Sequence, residues 1–433
     1  MSLKTLKFLC MASAAVLIAA CGGGGTTTGG SDTPVVVTGS QSGILTDAAV
    51  QGVSYRTSSG VTGITGLNGE YNFNPGDTVQ FTLGGLTLGN VTATGIISPI
   101  QLAAGDSNKL NNLLVLLQSL DTDGNPNNGI TISSATAAAV PATVNLTQAT
   151  NTFASSANTG LVSAMTAGGI TRSVTSLASA TAHFTEQGLV LLSNNVIVMY
   201  GTDTAAMLRI LPNGSYLIGE ASPDDYCGAE GDCGEELIGT AGSERGTVSV
   251  TGFSTTGYQI SATAVIDNNL QNGLSHPVEC DSQGFLPNGE GFKINVAGLC
   301  DAEPQGELLN KAPNNNSTLV GVWALESPTS ANVQHFVFLP NGKYLMVDPL
   351  GDTEMDSCGD PGVEFGSYDW NSSTGVLTIS NVTYDTNGCA GLNDDTEEGS
   401  GVFTGTVVLT NNGQQATVTP TEEAAMTLYR VSK

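Results

Sequence analysis

The side chains able to do chemistry are few and mostly acidic. Asp121, Asp123, Asn125 and Asn127 alternate along Asp121-Thr122-Asp123-Gly124-Asn125-Pro126-Asn127-Asn128-Gly129. Such spacing gathers several oxygens around a hard cation, and calcium is the cation it suits. The same residue types also build a plain polar turn capping the helix before them. Carboxylates stand side by side at Asp224/Asp225, Glu235/Glu236, Asp394/Asp395 and Glu397/Glu398. Two carboxyls suffice for glycoside hydrolysis, but adjacent carboxyls in Gly-rich loops are far more often solvated charge. His183 and Glu186, three apart, can share a helix face, which points to an ordinary exposed face before a ligand pair. The other histidines are His276 and His335.

No nucleophile has its partners. Gly105-Asp106-Ser107-Asn108 resembles the nucleophile block of GDS-type hydrolases, but that block requires an Asp-x-x-His near the C-terminus, and no His follows His335. Gly242-Ser243-Glu244-Arg245-Gly246 lacks the central Ser of a nucleophile elbow. Walker and Rossmann glycine patterns do not occur among the 55 Gly. The expectation is a protein without catalytic activity. The 121–130 segment resembles an EF-hand or thrombospondin-type loop. Pro126 stands where an EF-hand has Gly, and the twelfth position carries no Glu, so the resemblance implies weak calcium binding.

The N-terminus carries an address. Lys4 and Lys7 precede an apolar stretch from Phe8 to Ala20, too short to span a bilayer. Ile18-Ala19-Ala20-Cys21 resembles the lipobox of bacterial lipoproteins. The resemblance implies cleavage before Cys21, acylation (palmitate among the chains) and, because Gly22 rather than Asp follows, anchoring in the outer membrane, facing the periplasm or the cell surface. The alternative is an ordinary secretory signal that happens to end before a Cys. A Gly/Thr/Ser-rich tether occupies 21–42. Six further cysteines, Cys227, Cys233, Cys280, Cys300, Cys358 and Cys389, all lie in the second half. Outside the cytosol an even set reads as disulfides rather than zinc. Six allow fifteen pairings. Proximity favours Cys227–Cys233, Cys280–Cys300 and Cys358–Cys389.

The elements that must position these groups are mostly strands. Within 43–102, Val50–Tyr55, Tyr71–Phe73 and Val79–Leu83 alternate apolar and polar, with turns at Asn68-Gly69 and Pro75-Gly76-Asp77, as in a small sandwich. The order G-V-x-Y, G-x-T-x-x-x-G-E-Y-x-F, P-G-D-x-V-x-F resembles the prealbumin-like, carboxypeptidase-regulatory-like modules of bacterial surface proteins. In 103–187, Leu110, Leu113, Leu114, Leu117 and Leu120 mark one helical face. Further helices are expected over Ala135–Val140 and from Gln148 to about Gln187. The remainder is a duplication, 188–310 and 311–433. Leu211-Pro212-Asn213-Gly214-Ser215-Tyr216-Leu217-Ile218 matches Leu339-Pro340-Asn341-Gly342-Lys343-Tyr344-Leu345-Met346 at an offset of 128 residues. Each copy continues with an acidic Cys-bearing loop and a strand, Gly246–Val250 or Gly375–Ile379, followed by Ile266-Asp267-Asn268 or Tyr384-Asp385-Thr386-Asn387. Gly321-Val322-Trp323 resembles the G-x-W opening of lipocalin-like barrels; the first copy has Val198-Met199-Tyr200 instead. Two small barrels, or two halves of one, satisfy this pattern. The fold class is mainly β with a helical middle.

Composition bounds the function. The chain has 433 residues, 12 Lys+Arg against 39 Asp+Glu and a net charge of −27. A surface this negative repels nucleic acid. The leading expectation is a lipid-anchored surface binding or adhesion protein whose ligand is a surface, a protein or a glycan. A lipocalin-like carrier of a small apolar ligand is the alternative, and a carboxylate-dependent hydrolase comes third.

Overall fold

The structure, a computed structural model, describes residues 38–193, 195–221, 241–268, 273–275, 283–296, 307–350, 361–386, 391–392, 402–421 and 424–432. All eight cysteines, the signal, residues 21–37 of the expected tether and the four adjacent carboxylate pairs lie outside the described residues; the last of the tether, Gln41 and Ser42, is already strand.

Alternation builds the first part as expected. Thr78–Leu83 buries Val79, Phe81 and Leu83 and exposes or half-exposes the residues between them. It pairs with Ser54–Thr57 and Leu86–Thr92, and Thr62–Ile64 completes a four-stranded sheet. A second sheet joins Glu70–Phe73, Gln41–Leu45 and Ile96–Ile97. Between them Tyr71 meets Phe81 edge-on at 5.3 Å and stacks on Phe73 at 5.5 Å. At the Asn68-Gly69 turn only glycine fits: φ is +77°, and a Cβ would come within 2.4 Å of the Leu45 carbonyl oxygen. The Pro75–Asp77 turn is tied down by Asp77, which accepts from the Ser58 and Ser59 hydroxyls and from the backbone N–H of Ser59 and Asn74.

Helix Ser107–Leu120 starts at Asp106, whose carboxylate accepts from the Lys109 N–H at 2.9 Å. The Gly-Asp-Ser-Asn block is therefore a helix cap. All five predicted leucines are buried, and so are Asn112, Val115, Leu116, Gln118 and Ser119. The helix is thus enclosed on more than the one face its periodicity gave. Helix Pro99–Ala103, which also touches strand Leu86–Thr92, packs against it, as do helices Thr159–Ala167 and Leu177–Ser193. Strand Ile130–Thr131 returns to pair in parallel with Val50–Gln51, so sandwich and helices share one apolar core. The last helix then seats on the first barrel at Gly188, where a Cβ would lie 2.6 Å from the Tyr258 ring.

The duplicated half is two barrels. Eight strands from Val196–Tyr200 to Glu307–Asn310 form one antiparallel meander, its edges brought together by the Ala312 N–H to Val196 C=O bond of 2.7 Å. Eight more, from Gly321–Leu325 to Met426–Arg430, close completely. Leu-Pro-Asn-Gly opens a hairpin in each copy, with Gly214 and Gly342 at positive φ. The structure shifts one equivalence expected from sequence. Gly246 corresponds to Gly366, not Gly375: Tyr216 pairs with Gly246 as Tyr344 pairs with Gly366. Both segments following Gly246 and Gly375 are glycine-led β runs, so local pattern alone cannot separate adjacent strands.

Strand alternation gives every barrel two apolar faces. Tyr216, Ile218, Val248, Phe285 and Phe292 fill the first interior, and Trp323, Phe336, Phe338, Tyr344, Met346 and Leu377 the second. Between the barrels lies a third layer that includes Met207, Leu217, Leu345, Val347 and Phe365. The Arg430 guanidinium closes one end of the second barrel, 4.0 Å from the Trp323 ring, donating to the carbonyls of Thr318, Val320 and Gly413.

Candidate functional site: the acidic loop and the polar cluster beneath it

The loop leaves the C-terminus of helix Ser107–Leu120, where backbone carbonyls lack intrahelical partners. Arg172 fills that need, donating from one guanidinium nitrogen to the carbonyls of Gln118, Ser119 and Asp121. This cation lies against Gly124.

Asp121 is buried. Its Oδ1 accepts from the Thr131 N–H at 2.9 Å, and its Oδ2 has no hydrogen-bond partner. Burial raises its pKa, and the nearby Asp123 adds to the rise. Asp123 is held low, chiefly by the Asn128 amide, then by the Asn125 N–H at 2.9 Å. The loop therefore brings Asp121 and Asp123 together. Asn125 contributes a backbone N–H to Asp123, and the Asn127 side chain turns inward, 3.1 Å from His183 Nδ1. Among the described residues no group of three or more His, Cys, Asp or Glu side chains is placed to hold a metal.

His183 is not on an exposed face. It is buried at the joint between helix Leu177–Ser193 and the loop, while Glu186 points to solvent. Periodicity placed the pair on one stripe, but could not reveal that the acidic loop covers half of it. His183 Nε2 lies 3.0 Å from the Asp47 carbonyl oxygen and so carries the proton. With the ring neutral, which burial favours, Nδ1 is an acceptor. The Asn127 Oδ1 faces Nδ1; it suits a charged ring, and a neutral ring requires the amide turned over to donate from its NH2.

Below His183 sits Asp47, fully buried, 3.9 Å from Nε2 at Oδ1. Gln118 donates to its carboxyl at 3.1 Å and to the Ala180 carbonyl at 3.1 Å. Burial pushes the Asp47 carboxyl well above the usual carboxylate range, and the Gln118 bond only partly offsets this. Tyr258, from the first barrel, is buried with its hydroxyl unbonded, and Asp47 adds to the rise in its pKa that burial causes. Sequence reasoning missed Asp47, Gln118, Arg172 and Tyr258. The available signals were a lone Asp in an apolar stretch, Thr46-Asp47-Ala48-Ala49-Val50, and an Arg in a chain that has few.

In comparisons with known proteins, no family model matches the chain and no curated protein matches it.

Proposed function

We propose that the protein is a lipid-anchored outer-membrane protein that binds a surface, protein or glycan ligand without catalysing a reaction. Cys21 is the acylated residue, and the Asp121–Asn127 loop is a weak calcium site that stiffens the first half. The carrying observation is that both barrels are filled by their own aromatic and aliphatic side chains and are joined by a third apolar layer. A filled barrel offers its outer surface and loops rather than a cavity, which favours a binding module over a carrier. The calcium reading rests on Asp121 and Asp123 lying together with one buried carboxylate oxygen unbonded. Asp121 and Asp123 supply two formal charges and no bidentate Glu, placing affinity on the order of 10⁻⁴–10⁻³ M.

Attachment of whole cells lacking the gene tests binding, and unchanged attachment on every tested surface would count against it. Lipid mass spectrometry of the purified protein tests the carrier, which a stoichiometric apolar ligand would restore. Cys21→Ser should release the protein from membranes; retention in the outer-membrane fraction would overturn the anchor. Millimolar calcium should raise the melting temperature of the protein, and Asp121→Ala/Asp123→Ala should remove that shift. Identical curves with calcium and with chelator would leave only a capping turn.

A further inference from the structure

The two barrels share a constellation that the proposed function does not use. In the first, Glu244 is fully buried inside the barrel. Its Oε1 accepts from the Tyr216 hydroxyl and from the backbone N–H groups of Leu274 and Ser275, at 3.2 and 3.1 Å. Its Oε2 has no hydrogen bond and lies against Gly273, where a Cβ would come within 1.8 Å of it. Gly273 has φ +104°. Leu274 packs against the barrel's apolar interior.

The second barrel repeats the residues: Tyr344, Glu364, Gly391 and Leu392. Glu364 is fully buried, and a Cβ on Gly391 would lie 2.2 Å from its Oε2. Gly391 has φ +126°, and Leu392 is buried in the interior cluster. Tyr344 occupies the place of Tyr216, and Glu364 adds to the rise in its pKa that burial causes. Glu244 pairs across the sheet with Asp267, as Glu364 does with Asp385, and a β-bulge follows each Glu. The Tyr, Glu and Asp offsets are 128, 120 and 118 residues. The loops between them have changed length while the constellation has stayed.

We propose that the first barrel carries a carboxylate-held stopper, Gly273–Ser275, that opens as a unit separate from the barrel wall; Gly391-Leu392 is the equivalent segment of the second. The reasoning is local. The stopper has one polar anchor, the Glu244 carboxylate, and one leucine, Leu274, so releasing the anchor releases both. The wall's strand ladders run on either side and do not pass through it. Glu244, buried with its Oε2 unbonded, is poorly compensated, so the closed state of the first barrel has little in reserve. Opening withdraws the leucine from the interior it packs against. Glycine is required because the carboxylate oxygen occupies the space a Cβ would take.

Hydrogen–deuterium exchange on the full-length protein tests this. In the parent, a peptide covering 273–275 should exchange faster than peptides from Ser215–Ala221 and Gly242–Ser254, the strands that carry Tyr216 and Glu244. Glu244→Gln replaces a charged acceptor with a neutral one and should speed exchange at 273–275 about tenfold, leaving those strands unchanged. Tyr216→Phe keeps the charge, removes one anchor bond and should act in the same direction. Exchange at 273–275 in step with the strands in the parent would overturn the proposal, since that measurement needs no variant. So would an unchanged rate in Glu244→Gln and Tyr216→Phe.

Discussion

Replacing Asp47 with Asn tests how the cluster under the acidic loop carries its charge. Asp47 is fully buried, Gln118 alone donates to its carboxyl among the described residues, and burial holds its proton affinity well above the ordinary range. The unfolded chain releases that proton near pH 3.9. Below that pH both states are protonated, and the contribution of Asp47 to stability is fully present. As pH rises further, the unfolded state gains about 1.4 kcal/mol per pH unit that the folded state does not, until the folded carboxyl ionises. The contribution is therefore lost toward neutral pH. Asn has the same shape, offers Gln118 an acceptor oxygen and has no proton to release. Asp47→Asn should match the parent near pH 4 and exceed it by about 1–3 kcal/mol at pH 7. At roughly 2–4 °C per kcal/mol, the difference is readable by circular dichroism melts from pH 4 to 8. A variant less stable than the parent by the same amount from pH 5 to 8 would refute the reasoning. It would mean that Asp47 stands ionised against a protonated His183.

Three further outcomes follow from packing and charge. His335 lies buried between the barrels, where burial and then the Arg209 guanidinium push its pKa down to about 3; its unfolded value is about 6.5, so stability present above that pH is lost as pH falls toward 3. His335→Gln keeps an acceptor for Arg209 and should flatten the stability loss between pH 6 and 4, and an unaltered slope would count against it. Gly188→Ala forces a methyl into the Tyr258 ring and should cost about 1–3 kcal/mol in urea unfolding, whereas an unmoved midpoint would show that the helix can shift. Arg430→Met strips the donor from three carbonyls at the end of the second barrel and should cost about 3 kcal/mol or more, measured the same way.

Architecture was more legible than the site. Alternation placed Val79, Phe81 and Leu83 in the core, the Pro-Asn-Gly turns located two hairpins, and the 128-residue offset revealed the duplication. These signals are local or self-similar, so a single chain displays them. The junction is different. His183, Asn127, Gln118, Asp47 and Tyr258 come from five segments, and their meeting depends on strand Ile130–Thr131 returning to Val50–Gln51. Two residues of pairing leave almost no pattern. The buried Glu244 stands within Gly-Ser-Glu-Arg-Gly, a string whose local pattern shows only that a nucleophile elbow is lacking. Its meaning required knowing that Gly246 faces Tyr216 as Gly366, not Gly375, faces Tyr344.

The apolar layer between the barrels also bears on their origin. Leu217 and Leu345 are equivalent residues of the two copies, as are Leu211 and Leu339, and all four belong to that layer. Strand Ser215–Ala221 meets its own counterpart, Lys343–Asp348, and each of the two also touches the strand that follows the other. Contacts that exchange in this way are those of an isologous interface, in which the same patch is used by both partners. The arrangement is that of a two-fold dimer whose subunits have been joined end to end. Either barrel produced alone would present a self-complementary face and should pair with a second copy of itself. The Arg209–His335 contact breaks the symmetry, because Arg209 corresponds to Val337 in the other copy. Covalent fusion made such one-sided polar contacts available, and with them a preference for the partner already on the chain.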